Sequence, residues 1–165
     1  MTRAQANGIE RSGLEPAVPP GNARGFRRVG PEQYFVHIGL PQLVVLVGDL
    51  DEVDVRTRGA RLRHDAELCR YLKHPEGPQV NFMRREPGRV AIRTYETGVE
   101  DETLACGTGV AASAYVASRV WGFRFPVRVR TGGGESTVTS GEHGLLINGM
   151  TGYLSAPSAV AEHFA

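Results

Sequence analysis

Two apolar runs stand out early in the chain. Tyr34-Phe-Val-His-Ile38 and Leu43-Val-Val-Leu-Val47 are rich in β-branched and aromatic residues, and Gly39-Leu-Pro-Gln42 between them carries a turn signal. The second run does not alternate, which predicts a strand covered on both faces. Residues 49–54 are acidic without metal-loop spacing and read as a solvated turn. Residues 60–73 space Leu62, Leu68 and Leu72 for a helix, with Pro75 as its stop. Gln79-Val-Asn-Phe-Met83 and Val90-Ala-Ile-Arg-Thr-Tyr95 predict two further strands. Residues 126–131, 135–139 and 145–148 predict three short ones, punctuated by Gly132-Gly-Gly134 and Gly141. Residues 149–155 read as a last strand before a short helical tail with Val160 and Phe164.

One segment departs from this pattern. Gly109-Val-Ala-Ala-Ser-Ala-Tyr-Val-Ala-Ser-Arg-Val-Trp121 has helical propensity but is apolar or small nearly all round. A surface helix shows a polar face, so this one is predicted to be enclosed. Its alanines and serines allow close approach by strands, and Gly122 is placed to end it. The fold class is therefore α+β, with short mixed or antiparallel strands wrapped around a central buried helix.

Composition narrows the picture. With 165 residues, 41% of them apolar, the chain can bury a core as one ordinary domain. Its 21 glycines favour tight turns over a helical bundle. Lys+Arg total 19 against 18 Asp+Glu, which gives no electrostatic reason to expect nucleic acid or an anionic membrane as partner. Arg124, Arg128 and Arg130 beside Phe123 and Phe125 read accordingly as a solvated strand face. The longest apolar run is too short to span a bilayer, and the first residues lack a signal-peptide core; a cytoplasmic protein is expected. Residues 1–30 hold five arginines, Pro16, Pro19 and Pro20 and no apolar period. They are expected to form an arm, poorly ordered or docked on a partner, ahead of a domain over residues 31–165.

Cys69 and Cys106 are the two cysteines, with neither a CxxC nor an HExxH for a metal. Cys106 precedes the enclosed helix, in Leu104-Ala-Cys-Gly-Thr-Gly109. A helix N-terminus carries positive potential and unpaired N–H groups, which favours thiolate over thiol. Amides of Gly107, Thr108 and Gly109 can hold a carboxylate there. Thiol and cradle together suit proton abstraction α to a carboxylate. The plainer alternative is a small buried cysteine before a glycine cap. No histidine is paired with Cys106 by sequence.

Arg93-Thr-Tyr-Glu96 with Gly98, followed by Glu102-Thr-Leu-Ala-Cys-Gly-Thr-Gly109, resembles the second-cysteine signature of diaminopimelate epimerases. A weaker likeness runs from about Tyr34 onward, through Gly39-x-Pro41 and Asn81-Phe82. The resemblance implies inversion of an amino-acid α-carbon without pyridoxal phosphate or metal, with one cysteine removing the proton and a second delivering one. It implies two similar halves, each a set of strands around a helix, with the site in the cleft between them. Cys106 and Glu96 would then be catalytic, and Gly107, Thr108 and Gly109 would receive the substrate carboxylate.

The resemblance also makes Leu40, Gln79 and Thr97 substrate-binding positions, and these depart from the family pattern. Leu40 and Gln42 stand where the family has Asn and His, Gln79 where it has a second Asn, and Thr97 where it has Arg. Loss of that guanidinium removes a bidentate carboxylate partner, so a smaller or less polar substrate than diaminopimelate is expected. The chain matches one half and lacks the first cysteine. Cys69, spaced like a packing residue, is not expected to replace it. A second epimerase-like half-domain, from another gene product or a second copy of the chain, would complete the site. The rival readings are a non-catalytic half that binds a small acid or scaffolds a partner, and a different isomerase or cyclase reaction on the same fold.

Overall fold

A computed structural model describes residues 23–104, 106–142 and 144–149. Most of the expected arm, and the strand and helical tail expected after Gly149, lie outside the described residues. Nine strands share one sheet: β1 (Arg24–Gly30), β2 (Gln33–Ile38), β3 (Leu40–Leu46), β4 (Gln79–Glu86), β5 (Arg89–Glu96), β6 (Asp101–Thr103), β7 (Val127–Thr131), β8 (Gly134–Gly141) and β9 (Gly144–Asn148). The order is β1-β2-β3-β4-β5-β7-β8-β9, with β6 pairing the end of β5. Two contacts are parallel, β3 with β4 and β5 with β7; the others are antiparallel. Helices α1 (Val55–Arg63) and α2 (Ala66–Leu72) join β3 to β4. Helix α3 (Gly107–Val120) lies between β6 and β7.

The sheet curls around α3, which touches β2, β3, β4, β5, β7, β8 and β9. Residues 108–118 are all buried, as a helix without a polar face requires. Gly122, at φ +74°, follows its C-cap, and the Phe123 N–H returns to the Ala117 carbonyl. Strand alternation builds two cores. Val36, Ile38, Val44, Met83, Val90 and Ile92 face α3, whereas Leu43, Val45, Val80, Phe82, Ala91 and Tyr95 face outward beneath α1. The non-alternating run 43–47 is thus covered on both faces, as its pattern predicts.

Several local expectations are corrected. Residues 24–30, read as part of the arm, form strand β1. Only Phe26 turns inward there, against Tyr34 and Tyr115, too little to show an apolar period. The single helix over 60–73 is two. Asp65 accepts the Leu68 N–H and caps a new helix after the break at His64. The acidic stretch 49–54 is more than a solvated turn. Asp49 caps a 3-10 turn, Leu50–Glu52, and Asp54 caps α1 through the Thr57 N–H. The expected turn 39–42 shrinks to Gly39 alone, at φ +71°, because Leu40 already pairs with Ile38.

The arginines of β7 are paired rather than merely solvated. Arg128 meets Glu135 at 2.6 Å, and Arg130 meets Glu86 at 2.7 Å. Glu86 also accepts from Arg84 and Arg89. Hydrogen bonds from Arg130 first, then Arg84, hold its carboxyl at about 2, below the ordinary 4.5. A depressed carboxyl stabilises the fold above its unfolded value and loses that contribution as pH falls toward the folded one. Glu86→Gln is therefore expected to cost about 1–2 kcal/mol at neutral pH, after allowance for screening of the partly exposed arginines. It should also flatten the fall in stability between pH 4.5 and about 2. Urea denaturation across that range checks both; a variant with the wild-type slope would remove Glu86 as the cause.

Candidate active site

The sheet face that meets α3 changes character along its length. Farther in it is apolar, through Val44, Met83 and Ile92. At the first turn of α3 the same alternation presents Gln42 from β3, Gln79 and Asn81 from β4, and Thr94 from β5, all buried. Burial of such groups is tolerable only if they are hydrogen-bonded. Gln42 Nε2 donates to Thr108 Oγ1 at 2.9 Å and to the Ile38 carbonyl at 3.4 Å. Asn81 Nδ2 donates to Gln42 Oε1 at 3.0 Å and to the Leu43 carbonyl at 3.3 Å. Thr94 Oγ1 donates to Asn81 Oδ1 at 2.8 Å.

Cys106 is the N-cap of α3, in extended conformation and half-buried. Its carbonyl accepts the first helical bond, from the Val110 N–H at 2.9 Å. Its sulfur makes no capping bond and faces the amide cluster instead. Gln79 Nε2 lies 3.0 Å from Sγ, and Thr108 Oγ1 lies 3.5 Å from it. The N–H groups of Gly107, Thr108 and Gly109 open the helix and have no acceptor within it. Open N–H groups at a helix N-terminus are suited to an anion.

The approach to Cys106 is fixed by ion pairs and backbone bonds. Arg93 grips Glu102 of β6 through two nitrogens, at 2.8 and 2.9 Å, and also donates to the Leu50 and Val53 carbonyls. Glu100, in the β5–β6 turn, accepts from Arg63, His64, Tyr95 and the Gly98 N–H. The Leu104 carbonyl accepts from the Gly133 N–H at 3.0 Å, which ties this segment to the β7–β8 turn.

The structure brings together Cys106, Thr108 and Gln79 by direct contact, with Gly109 packed against Asn81 and Gln79. Leu40 follows Gly39, whose missing Cβ leaves room for the Thr108 methyl. Glu96 ends β5, two positions beyond Thr94 on the same face. Thr97 starts the turn that Glu100 closes. Neither Glu96 nor Thr97 makes a side-chain hydrogen bond into the cluster among the described residues. Cys69 sits on α2, beyond the outer core, and donates its S–H to the Arg63 carbonyl at 3.3 Å. The His37 and His74 rings lie 5.8 Å apart, tilted by 34°. Burial, then the neighbouring His74 and Arg24, holds His37 below its ordinary value.

Sequence reasoning took Gln42 only as a departure and Asn81 only as a strand residue, and it passed over Thr94. The available signal was polar residues at alternate positions inside otherwise apolar strands. Among the described residues no group of three His, Cys, Asp or Glu could hold a metal, and no helix is long and apolar enough to cross a membrane.

The fold is thus an α+β unit whose sheet encloses one helix, with a half-buried thiol at that helix's N-terminus. The diaminopimelate epimerase family profile matches residues 34–155, and the chain belongs to that family. The diaminopimelate epimerase of Chlorobaculum tepidum is 40% identical over 122 residues, 72% of this chain and 46% of that protein. That of Methanocella arvoryzae is 39% identical over 110 residues, covering 67% and 38%. The chain thus spans less than half the length of these curated relatives. Among solved structures, a hydroxyproline epimerase from Agrobacterium vitis with bound trans-4-hydroxy-L-proline aligns at TM-score 0.44 and 14% identity, over 70% of this chain and 40% of that one.

Gly109 tests how rigid the cluster is. A Cβ there would lie 2.3 Å from Asn81 Oδ1, and Asn81 is fully buried. Alanine gains about 1 kcal/mol of helix propensity, but overpacking costs about 1–3 kcal/mol. Gly109→Ala is therefore expected to lower stability. A higher melting temperature in the variant would mean that Asn81 yields.

Proposed function

We propose that this chain is one half of a cofactor-independent epimerase or racemase acting on an amino acid or similar small carboxylic acid. Cys106 carries the α-proton. The observation behind this reading is the Cys106 sulfur, free of any capping role and set beside the open amides of the first turn of α3. Family membership supports it. The Cys106 sulfur takes the α-proton, and the electron pair of the broken C–H bond spreads into the carboxylate. The amides of Gly107, Thr108 and Gly109, with the helix dipole behind them, hold the charge that develops there. A group on a second half-domain, from another gene product or a second copy of this chain across a two-fold axis, returns a proton to the opposite face. The cysteine pair needs neither pyridoxal phosphate nor a metal. Glu96, at the end of β5, offers a carboxylate that helps hold the substrate and shape the site.

Substrate size follows from what the rim offers. Leu40 is apolar, Thr97 is no bidentate partner, and the Gln42, Gln79 and Asn81 amides already bond within the cluster. A small acid with a neutral side chain fits better than one with a distal charged amino acid. A cytoplasmic location belongs to the same reading.

The test is α-proton exchange in deuterium oxide, followed by NMR over a panel of small amino and hydroxy acids with the assembly as purified from its host. Cys106→Ala is expected to abolish exchange while the fold persists. Unchanged deuterium incorporation in that variant would overturn the mechanism. The amides bonded within the cluster also favour a second reading, a non-catalytic half that binds a small acid. It requires binding without exchange in the wild type.

A further inference from the structure

The orientation of the buried amides can be traced from two fixed points. A backbone carbonyl only accepts, so the Ile38 carbonyl fixes Gln42 with Nε2 toward it, and the Leu43 carbonyl fixes Asn81 with Nδ2 toward it. Gln42 then presents its second N–H to Thr108 Oγ1 at 2.9 Å. Its Oε1 accepts from Asn81 at 3.0 Å and from Gln79 at 3.3 Å, which turns the Gln79 Nε2 group toward the sulfur. The shortest of the three contacts from that nitrogen is the one to Sγ, at 3.0 Å, although sulfur is larger than oxygen. Thr108 Oγ1 already accepts from Gln42, so its own hydrogen is available to Sγ at 3.5 Å. Every arrow from the two carbonyls onward ends on the sulfur.

We propose that Gln79 and Thr108 are positioning residues that hold the Cys106 sulfur as a hydrogen-bond acceptor, so that this half-site rests as the proton-accepting side. The inference rests on the proton-transfer role given to Cys106 above. Donors aimed at an ionised sulfur are charge-assisted and stronger than neutral ones. The α-proton moves to Sγ with the C–H electron pair left on the substrate carbon. The balancing proton comes from the completing half, whose resting group must therefore be the protonated one. When Sγ gains its proton, Thr108 Oγ1 can rotate its hydrogen away and accept from the new S–H. Gln42 acts one step farther back, by turning Gln79.

Alkylation of the full chain by iodoacetamide, quantified at Cys106 by peptide mass spectrometry, reads the sulfur directly. Cys69, buried and donating to the Arg63 carbonyl, is the internal control. A hydrogen bond to a charged acceptor is worth about tenfold or more in the equilibrium it biases. The released sulfur regains roughly threefold in intrinsic nucleophilicity. Gln79→Leu is therefore expected to alkylate about threefold more slowly at neutral pH. Thr108→Val should slow in the same direction, and Thr108→Ser should restore the wild-type rate. If Gln79→Leu does not fold, the Thr108 pair carries the test. Wild-type rates in every folded variant that lacks a donor would overturn the proposal. Slowed alkylation with no α-proton exchange in the wild-type assembly would uphold the donor assignment and defeat the proposed reaction instead.

Discussion

The structure depends on enclosing a helix that has no polar face. From Thr108 to Ser118 every residue of α3 is buried, and the alanines and glycines that make this possible leave little side chain to pack. The sheet must come close and come from nearly all sides, which it does by curling seven of its strands onto the helix. Burying the first turn raises a second demand. The Thr108 hydroxyl lies where an apolar wall would leave it unpaired, at roughly 1–3 kcal/mol. The sheet answers with amides at the ends of β3 and β4 and a hydroxyl on β5. A polar end on an otherwise apolar interior is thus a packing requirement first, and the site grows out of it.

The same requirement explains why the outer layer matters to the chemistry. Cys106 lies between β6 and α3, and β6 is only three residues long. Such a strand cannot hold its place by ladder bonds alone. Arg93 holds it through Glu102, and Arg63 holds the preceding turn through Glu100. Arg93 reaches from β5, and Arg63 from the last turn of α1. The sulfur is thereby set from both sides of the sheet, by ion pairs outside and amides inside.

How much of this was legible depended on whether the signal was local. The enclosed helix was plain, because residues 109–121 are apolar or small nearly all round and show no polar face. Cys106 before that helix was plain for the same reason. Strand β1 was hidden because one inward phenylalanine makes no period. The break at His64 was hidden because Asp65 acts through its capping bond, which leaves the surrounding leucine spacing looking continuous. Gln42, Asn81 and Thr94 were hidden because each is an ordinary strand residue until three strands are laid side by side. Their register is a tertiary fact: Gln42 meets Gln79 across a parallel pair, and Asn81 meets Thr94 across an antiparallel one.

That register also bears on whether the departures from the family pattern represent decay or remodelling. Leu40, Gln42 and Gln79 are not scattered. Gln42 and Gln79 bond to each other and share Thr108 as a partner, and Leu40 belongs to the hairpin tip that packs on the Thr108 methyl. Substituting one member of a buried network strands its neighbours unless the others change with it. A site released from function accumulates such stranded groups. Here the three amides are satisfied, and the buried side-chain atoms without a partner among the described residues, Thr103 Oγ1 and Ser113 Oγ, belong to other side chains. The pattern favours a pocket whose polar members are matched as a unit, with Gln79 and Thr108 against the sulfur. A smaller acid needs fewer anchors at its far end, and its α-carbon can be placed by the cradle and the rim alone. Under the reaction proposed above, a thiol held within a fully satisfied polar cluster fits a change of substrate better than the loss of a reaction.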